Sequence, residues 1–97
     1  MENIIEFKIS LEKNSPDSNM SVQLRALWYD AKGDWHTAHN QVDHLSDTSS
    51  ARIHAYLHRK EGDIWNADYW YAKAGEKRPK LTLEQEWEAL VLRFLSK

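Results

Sequence analysis

The sequence predicts an all-α fold, an antiparallel stack of helix pairs closed by a C-terminal helix and preceded by an extended N-terminal segment. Three observations predict it. Apolar residues recur at helical spacing, Gly-Asp steps punctuate the helical stretches, and the second such step follows the first by 29 positions in matching surroundings. With 97 residues and no cysteine, the chain suits one small domain without disulfides. We divide it into an N-terminal segment with a linker, 1–18, and a single helical domain, 19–97.

The N-terminal segment shows a two-residue alternation. The apolar members are Ile5, Phe7, Ile9 and Leu11. Alternation of this kind is typical of a strand, and we expect the segment to be extended, although Ile4, Phe7 and Leu11 also fit a helix. A lone strand leaves its backbone unpaired, which favours pairing with a second copy of the chain. The alternative is that residues 4–11 fold back over residues 19–32 within one chain.

Five helices are predicted after this segment. They cover residues 19–32, 34–46, 49–61, 63–76 and 82–95. Gly33 and Gly62 can adopt the left-handed conformation that ends a helix. Asp34 and Asp63 are placed to cap the helices that follow, and Thr82 begins a capping box for the last helix. The apolar stripes of these helices predict a core containing Trp28, Trp35, Ala38, Ala55, Ala67, Tyr71, Trp87 and Leu90.

An internal repeat relates two of these helix pairs. The stretch "ALWYDAKGDWHTAH" from Ala26 aligns with "AYLHRKEGDIWNAD" from Ala55. Both copies resemble the tetratricopeptide repeat, and the second fits better, with Ala67 where the helices cross and Pro79 closing the unit. The spacing is shorter than the family's repeat of about 34 residues. The resemblance implies a stack of helix pairs that binds a protein or peptide partner.

The second copy also carries a distinctive stretch, "HAYLHRKEGDIWNADYWYAKAG", over residues 54–75. It is similar to a stretch, HAYLHRKEGD followed by NA.YWY..AG, in small uncharacterised bacterial proteins, a resemblance that implies no function. Aromatic residues at helical spacing are typical of packing, so we interpret most rings in this stretch as core.

The charge pattern and the missing motifs exclude several function classes. A net charge of -2 without a basic face argues against nucleic-acid binding. No apolar run approaches the roughly 20 residues that span a bilayer, and the N-terminus is too charged for a signal-peptide core. We therefore expect no membrane partner and a cytoplasmic location. No complete catalytic or nucleotide-binding motif occurs, so an enzyme is not the first expectation, and no cofactor is expected beyond a divalent metal.

The histidines are the candidate metal ligands. His54, His58 and Glu61 lie on one helical face, with His39 or His36 from the preceding helix as a further ligand. The stretch "HAYLH" lacks the glutamate that serves as general base in zinc proteases. The alternative, which the sequence favours, is that these histidines form hydrogen bonds across the helix pair.

A partner would instead use the concave side of the helix pairs. The resemblance places there Gln23, Leu27, Asp30, Arg52, Tyr56 and Arg59. Arg52 and Arg59 can hold a carboxylate through paired N–H groups. We therefore expect a protein- or peptide-interaction module, with a metal-binding protein or metal-dependent enzyme as the alternative. Because repeat stacks need at least three units or caps and this chain has about two, we also expect a homodimer.

Overall fold

The computed structural model describes residues 3–96, and over this range it contains six helices and no strand. The helices are α1 (Ile4–Ser10), α2 (Val22–Ala31), α3 (Trp35–Val42), α4 (Thr48–Lys60), α5 (Ile64–Lys73) and α6 (Leu83–Leu95). The all-α prediction is confirmed. The five predicted helices are present, and most of their ends lie one to four residues inside the predicted bounds, because the flanking residues form caps and turns. Helix α4 begins one residue earlier than predicted, and α6 ends at the predicted residue.

The Gly-Asp steps end and begin helices as predicted. Gly33 and Gly62 have φ angles of 83° and 91°, a backbone conformation that residues with a Cβ rarely adopt. The Asp34 carboxylate accepts the Thr37 backbone N–H, and Asp63 caps α5 in the same way. These short connections let α2 pack against α3 and α4 against α5, while α4 also contacts α2 and α3.

The core forms between these helices and α6. Seven of the eight predicted core residues are buried, and Trp35 is partly buried. The indole N–H of Trp35 donates to the Leu57 carbonyl over 2.7 Å, so this ring lies at the edge of the core. Helix α6 covers α2 and α4, and its Trp87 donates to the Leu27 carbonyl over 3.0 Å. Satisfying these indole N–H groups lets large rings pack without burying an unpaired donor.

Residues Ile4–Ser10 of the N-terminal segment form a helix, so the extended conformation predicted for them is wrong. Asn3 caps α1 by accepting the Glu6 N–H over 2.8 Å. The Phe7 ring is fully buried and meets Trp87 edge to face at 5.9 Å between ring centroids. Ile5 and Ile9 are 68% and 60% exposed. The helical spacing of Ile4 and Phe7 therefore decides the conformation, because it places the buried side chains on one face.

The segment folds back within its own chain, as the intramolecular alternative predicted. The Trp28 indole N–H donates to the Ser10 carbonyl over 3.3 Å, and Lys32 donates to the Leu11 carbonyl. Helix α1 also packs against α6. Phe7 is therefore covered within the chain, whereas Ile5 and Ile9 stay exposed. The argument for a homodimer from an unpaired strand no longer applies.

The α4–α5 crossing gives a stability prediction. Ala67 is fully buried in a cluster with Ala55 and Tyr71. Ala67→Leu is expected to lower the free energy of unfolding by about 1–3 kcal/mol through overpacking. Urea unfolding measures this loss. Ala72→Leu is the matched control, because Ala72 is exposed on the same helix; equal losses in the two variants would contradict the proposed crossing.

Candidate metal centre

Three histidines from two helices converge beside the α3–α4 contact. His54 and His58 lie one turn apart on α4, and His39 projects from α3. One ring nitrogen from each lies within 4.8 Å of the others, and the Nε2 atoms of His39 and His54 are 3.0 Å apart. The structure thus brings together three of the predicted ligands. His36, the alternative ligand from α3, is exposed and does not belong to this group.

Glu61 supports the group through His58. The Nδ1 atom of His58 donates to a Glu61 carboxylate oxygen over 2.6 Å, and Asp63 lies close to the same pair. The hydrogen bond fixes the orientation of the His58 ring and leaves Nε2 as the nitrogen available to an ion. This is the arrangement in which metal-bound histidines are oriented by carboxylates behind them. Glu61 was predicted as a ligand of the same ion, but it contacts the far side of His58.

Two tryptophans hold the imidazole rings in place. Trp35 stacks on His39 with 4.8 Å between centroids, and Trp70 stacks on His54 at 4.0 Å. Between them, His54 and His58 stack on each other at 4.8 Å. Sequence reasoning missed Trp70 as part of the site. Its position directly before the buried Tyr71 was the available signal, because adjacent residues on a helix point to neighbouring faces.

Burial keeps two of the histidines neutral. Burial and the neighbouring His39 and His58 lower the pKa of His54 from 6.5 to about 4. Burial, and then the nearby His58, lower the pKa of His39, against the opposing effects of Asp43 and Glu61. At pH 7 both rings therefore present nitrogen lone pairs, which is the form that binds metal ions.

The hydrogen-bonding pattern shows which ring carries the proton between Nε2 of His39 and Nε2 of His54. Nδ1 of His54 is buried and has no hydrogen-bond partner. At this buried position, an unprotonated Nδ1 has a lower free-energy cost than an N–H without an acceptor. The proton of His54 therefore belongs on Nε2. It is then donated to Nε2 of His39, whose Nδ1 faces the Asp43 carboxylate at 3.8 Å. For Nε2 of His54 to bind an ion, this proton would have to move to Nδ1 of the same ring.

The low pKa of His54 predicts a pH dependence of stability without metal. In the unfolded chain this imidazole takes up a proton below its ordinary pKa of 6.5, whereas in the folded protein it stays neutral down to about 4. Unfolding therefore binds protons between these values, and stability falls as the pH decreases from 6.5 to 4. Urea unfolding in a chelator should show a steeper fall for wild type than for His54→Gln. Parallel curves would contradict the assignment.

The predicted partner face is not a free surface. Leu27, Asp30, Arg52 and Tyr56 are buried. Gln23 donates to the Ser50 hydroxyl over 3.1 Å, and Asp30 accepts from Tyr56 and from Lys60, each over 2.8 Å. The concave placement fails because α6 packs against α2 and α4, the two helices that carry these residues.

Arg52 and Arg59 hold a carboxylate of their own chain instead of the partner carboxylate that we expected. The carboxylate that they hold belongs to Glu86 of α6, which is fully buried. Its oxygens lie 2.6 Å from Nη1 of Arg59 and 2.8 Å from Nη1 of Arg52, and the Tyr71 hydroxyl donates to it over 2.6 Å. The chain's own helix therefore occupies the position that we predicted for a partner.

Comparison with protein-family models, with curated proteins and with solved structures finds no match to this chain. Within residues 3–96 no helix has the length and apolar character needed to cross a membrane.

Proposed function

We propose that the protein binds one transition-metal ion through His39, His54 and His58. The observation that carries the proposal is the convergence of three imidazoles from two helices, with ligand atoms within 4.8 Å of one another. Imidazole nitrogens suit zinc, copper and nickel, whereas magnesium and calcium prefer oxygen ligands. The three ligands contain no carboxylate, so the cluster selects the first group of ions.

The spacing of the nitrogens supports this proposal. In tetrahedral zinc sites the Zn–N bonds are about 2.0–2.1 Å, which places neighbouring ligand nitrogens about 3.3 Å apart. The Nε2 atoms of His39 and His54 are 3.0 Å apart, so they need to separate only slightly. The ligand nitrogen of His58 lies within 4.8 Å of the other two and must approach them to complete a three-histidine set. A fourth position remains for water or another ligand, because His39 and Glu61 keep part of their surface in solvent.

Such an ion would join the two helix pairs. His39 belongs to α3 and the other two ligands belong to α4, so the bound ion links the first pair to the second. Because the unfolded chain holds no such preformed cluster, binding stabilises the fold. The gain is about 2.7 kcal/mol when free ion reaches about 100 times the dissociation constant.

Titration calorimetry with zinc and with nickel tests the proposal on tag-free protein. We expect one ion per chain and a rise in melting temperature in its presence. The double variant His54→Gln/His58→Gln should lose both effects. The matched control is His36→Ala/His44→Ala, which removes two exposed histidines outside the cluster and should keep both effects.

Two results would contradict the proposed site. Failure of wild type to bind either ion excludes it. Loss of binding in the His36→Ala/His44→Ala control would show that exposed histidines hold the ion. A stoichiometry of two would add a second ion at His58, Glu61 and Asp63, whose ligand atoms also lie within 4.8 Å of one another.

A second proposal is self-association through α1, with another copy of the chain as the protein partner. Ile5 and Ile9 lie one turn apart and are 68% and 60% exposed, which leaves an apolar strip on the outer face of α1. Sedimentation at micromolar concentration should show a dimer for wild type and a monomer for Ile5→Glu/Ile9→Glu. A wild-type monomer would overturn this proposal and leave the metal site unaffected.

We further propose that the α2–α3 and α4–α5 pairs are tetratricopeptide-like units. The buried Ala67 at the second crossing and the matching Gly-Asp turns support this relationship.

A further inference from the structure

An unbroken series of aromatic rings leads from the histidine cluster to the surface of α5. Trp70 stacks on His54 at 4.0 Å between centroids, Tyr69 meets Trp70 edge to face at 5.4 Å, and Trp65 lies parallel to Tyr69 at 6.4 Å. We call Trp70, Tyr69 and Trp65 the ring path. Its outer member, Trp65, is 80% exposed, and Tyr69 is 46% exposed.

The ring path differs from ordinary core packing in its outward direction. Trp70 packs partly against the Ala55, Ala67 and Tyr71 cluster, but Tyr69 and Trp65 extend away from the core. Lys73 lies over the Tyr69 ring at 5.4 Å, which steadies that ring on the helix surface. Leaving a large indole in water forfeits the free energy of its burial, so packing alone does not account for this position.

The three side chains of the ring path share one chemical property, their one-electron oxidation. Indole and phenol are among the side chains that lose one electron most readily, and rings in or near van der Waals contact exchange electrons rapidly. The inner end of the ring path stacks on His54, a proposed metal ligand. Copper is the redox-active ion among those that favour imidazole, and divalent copper binds such sites most tightly in the first-row series.

We propose that, with copper in the histidine cluster, the ring path carries oxidising equivalents from the ion to solvent and so spares the ligand histidines. This proposal rests on the proposed metal-binding function. The oxidant is hydrogen peroxide and the reductant is a small diffusible donor such as ascorbate.

Reduction of one hydrogen peroxide to two waters takes two electrons and two protons. The cuprous ion gives one electron and becomes cupric, and Trp70 gives the second. The O–O bond breaks, and two protons from solvent complete two waters. Trp65 returns an electron to Trp70 through Tyr69 and releases its own indole proton to solvent. Ascorbate then returns one electron to copper, and one electron with a proton to Trp65.

The experiment uses copper-loaded full-length protein with peroxide and limiting ascorbate, followed by mass spectrometry of oxidised residues. Wild type should carry the oxidation at Trp65 and Tyr69. In Trp70→Leu, Trp65 oxidation should be lost and oxidation of His54 and His58 should appear. Tyr69→Leu interrupts the ring path at an exposed position and should give the same redistribution with little effect on folding.

The control variant is Tyr29→Leu. Tyr29 meets Trp28 edge to face and belongs to neither the histidine cluster nor the ring path. This variant should keep the wild-type oxidation pattern, and zinc-loaded wild type should show no oxidation of the ring path. Copper titration of every sample comes first and reports binding separately.

The outcomes separate the two proposals. Failure of wild type to bind copper overturns both. Normal copper binding with unchanged Trp65 oxidation in Trp70→Leu and Tyr69→Leu overturns the ring path alone, because a diffusing oxidant would attack the exposed indole without it.

Discussion

Replacing Glu86 with Ala is expected to lower the free energy of unfolding by about 3–5 kcal/mol. Glu86 is fully buried on α6 and contacts Arg52, Arg59 and the Tyr71 hydroxyl. Removing the carboxylate leaves two guanidinium groups and a hydroxyl in a buried setting without their shared acceptor. Glu76, which lies 3.0 Å from Arg52, would compensate only part of the positive charge left by the two arginines.

Urea unfolding followed by circular dichroism measures this effect. Glu86→Gln provides a folded comparison if the alanine variant unfolds, because glutamine keeps the volume and an acceptor for Tyr71. Glu88→Ala is the matched control on the same helix, since Glu88 pairs with Lys8 at 2.7 Å while both side chains remain exposed. Its loss should lie within about 1 kcal/mol. Equal losses for Glu86→Ala and Glu88→Ala would show that the buried network does not hold α6.

Replacing ligands of the histidine cluster is expected to have a large effect on metal affinity. His39→Ala removes the one ligand that α3 contributes and should raise the dissociation constant for zinc by more than about 100-fold. Glu61→Ala keeps all three ligands and removes the hydrogen bond to His58, so it should cost about 10–100-fold. This order follows from the structure, in which Nε2 of His39 lies 3.0 Å from Nε2 of His54, whereas Glu61 contacts Nδ1 of His58.

Competition with a chromophoric chelator measures both affinities. His36→Ala is the control, since His36 lies three residues before His39 on the same helix but outside the cluster. A larger loss for Glu61→Ala than for His39→Ala would contradict the assignment and make Glu61 a ligand.

The helical core was predictable because its signals are local. Gly33 and Gly62 mark helix ends through backbone conformation, and Asp34 and Asp63 cap through side-chain oxygens close in sequence. The N-terminal helix was missed because seven residues span only two turns, over which Ile5 and Ile9 imitate a strand alternation. The Asn3 cap was the local signal that favoured the helix.

The site was only partly predictable for a physical reason. The spacing of His54 and His58 fixes their common face within one helix, whereas the approach of His39 and the stacking of Trp70 depend on how helices pack. The partner face failed for the same reason, because fold analogy cannot show that α6 covers α4. Glu86 next to Trp87 in the apolar stripe was the available sign of a buried carboxylate.

X-ray absorption spectroscopy of zinc-loaded protein shows directly whether three histidines bind the ion. The proposed centre predicts a first shell dominated by nitrogen at about 2.0–2.1 Å, with the outer-shell scattering of three imidazole rings, and one fewer ring in His39→Ala. A first shell dominated by oxygen, or an unchanged number of rings in His39→Ala, would contradict a centre built from His39, His54 and His58.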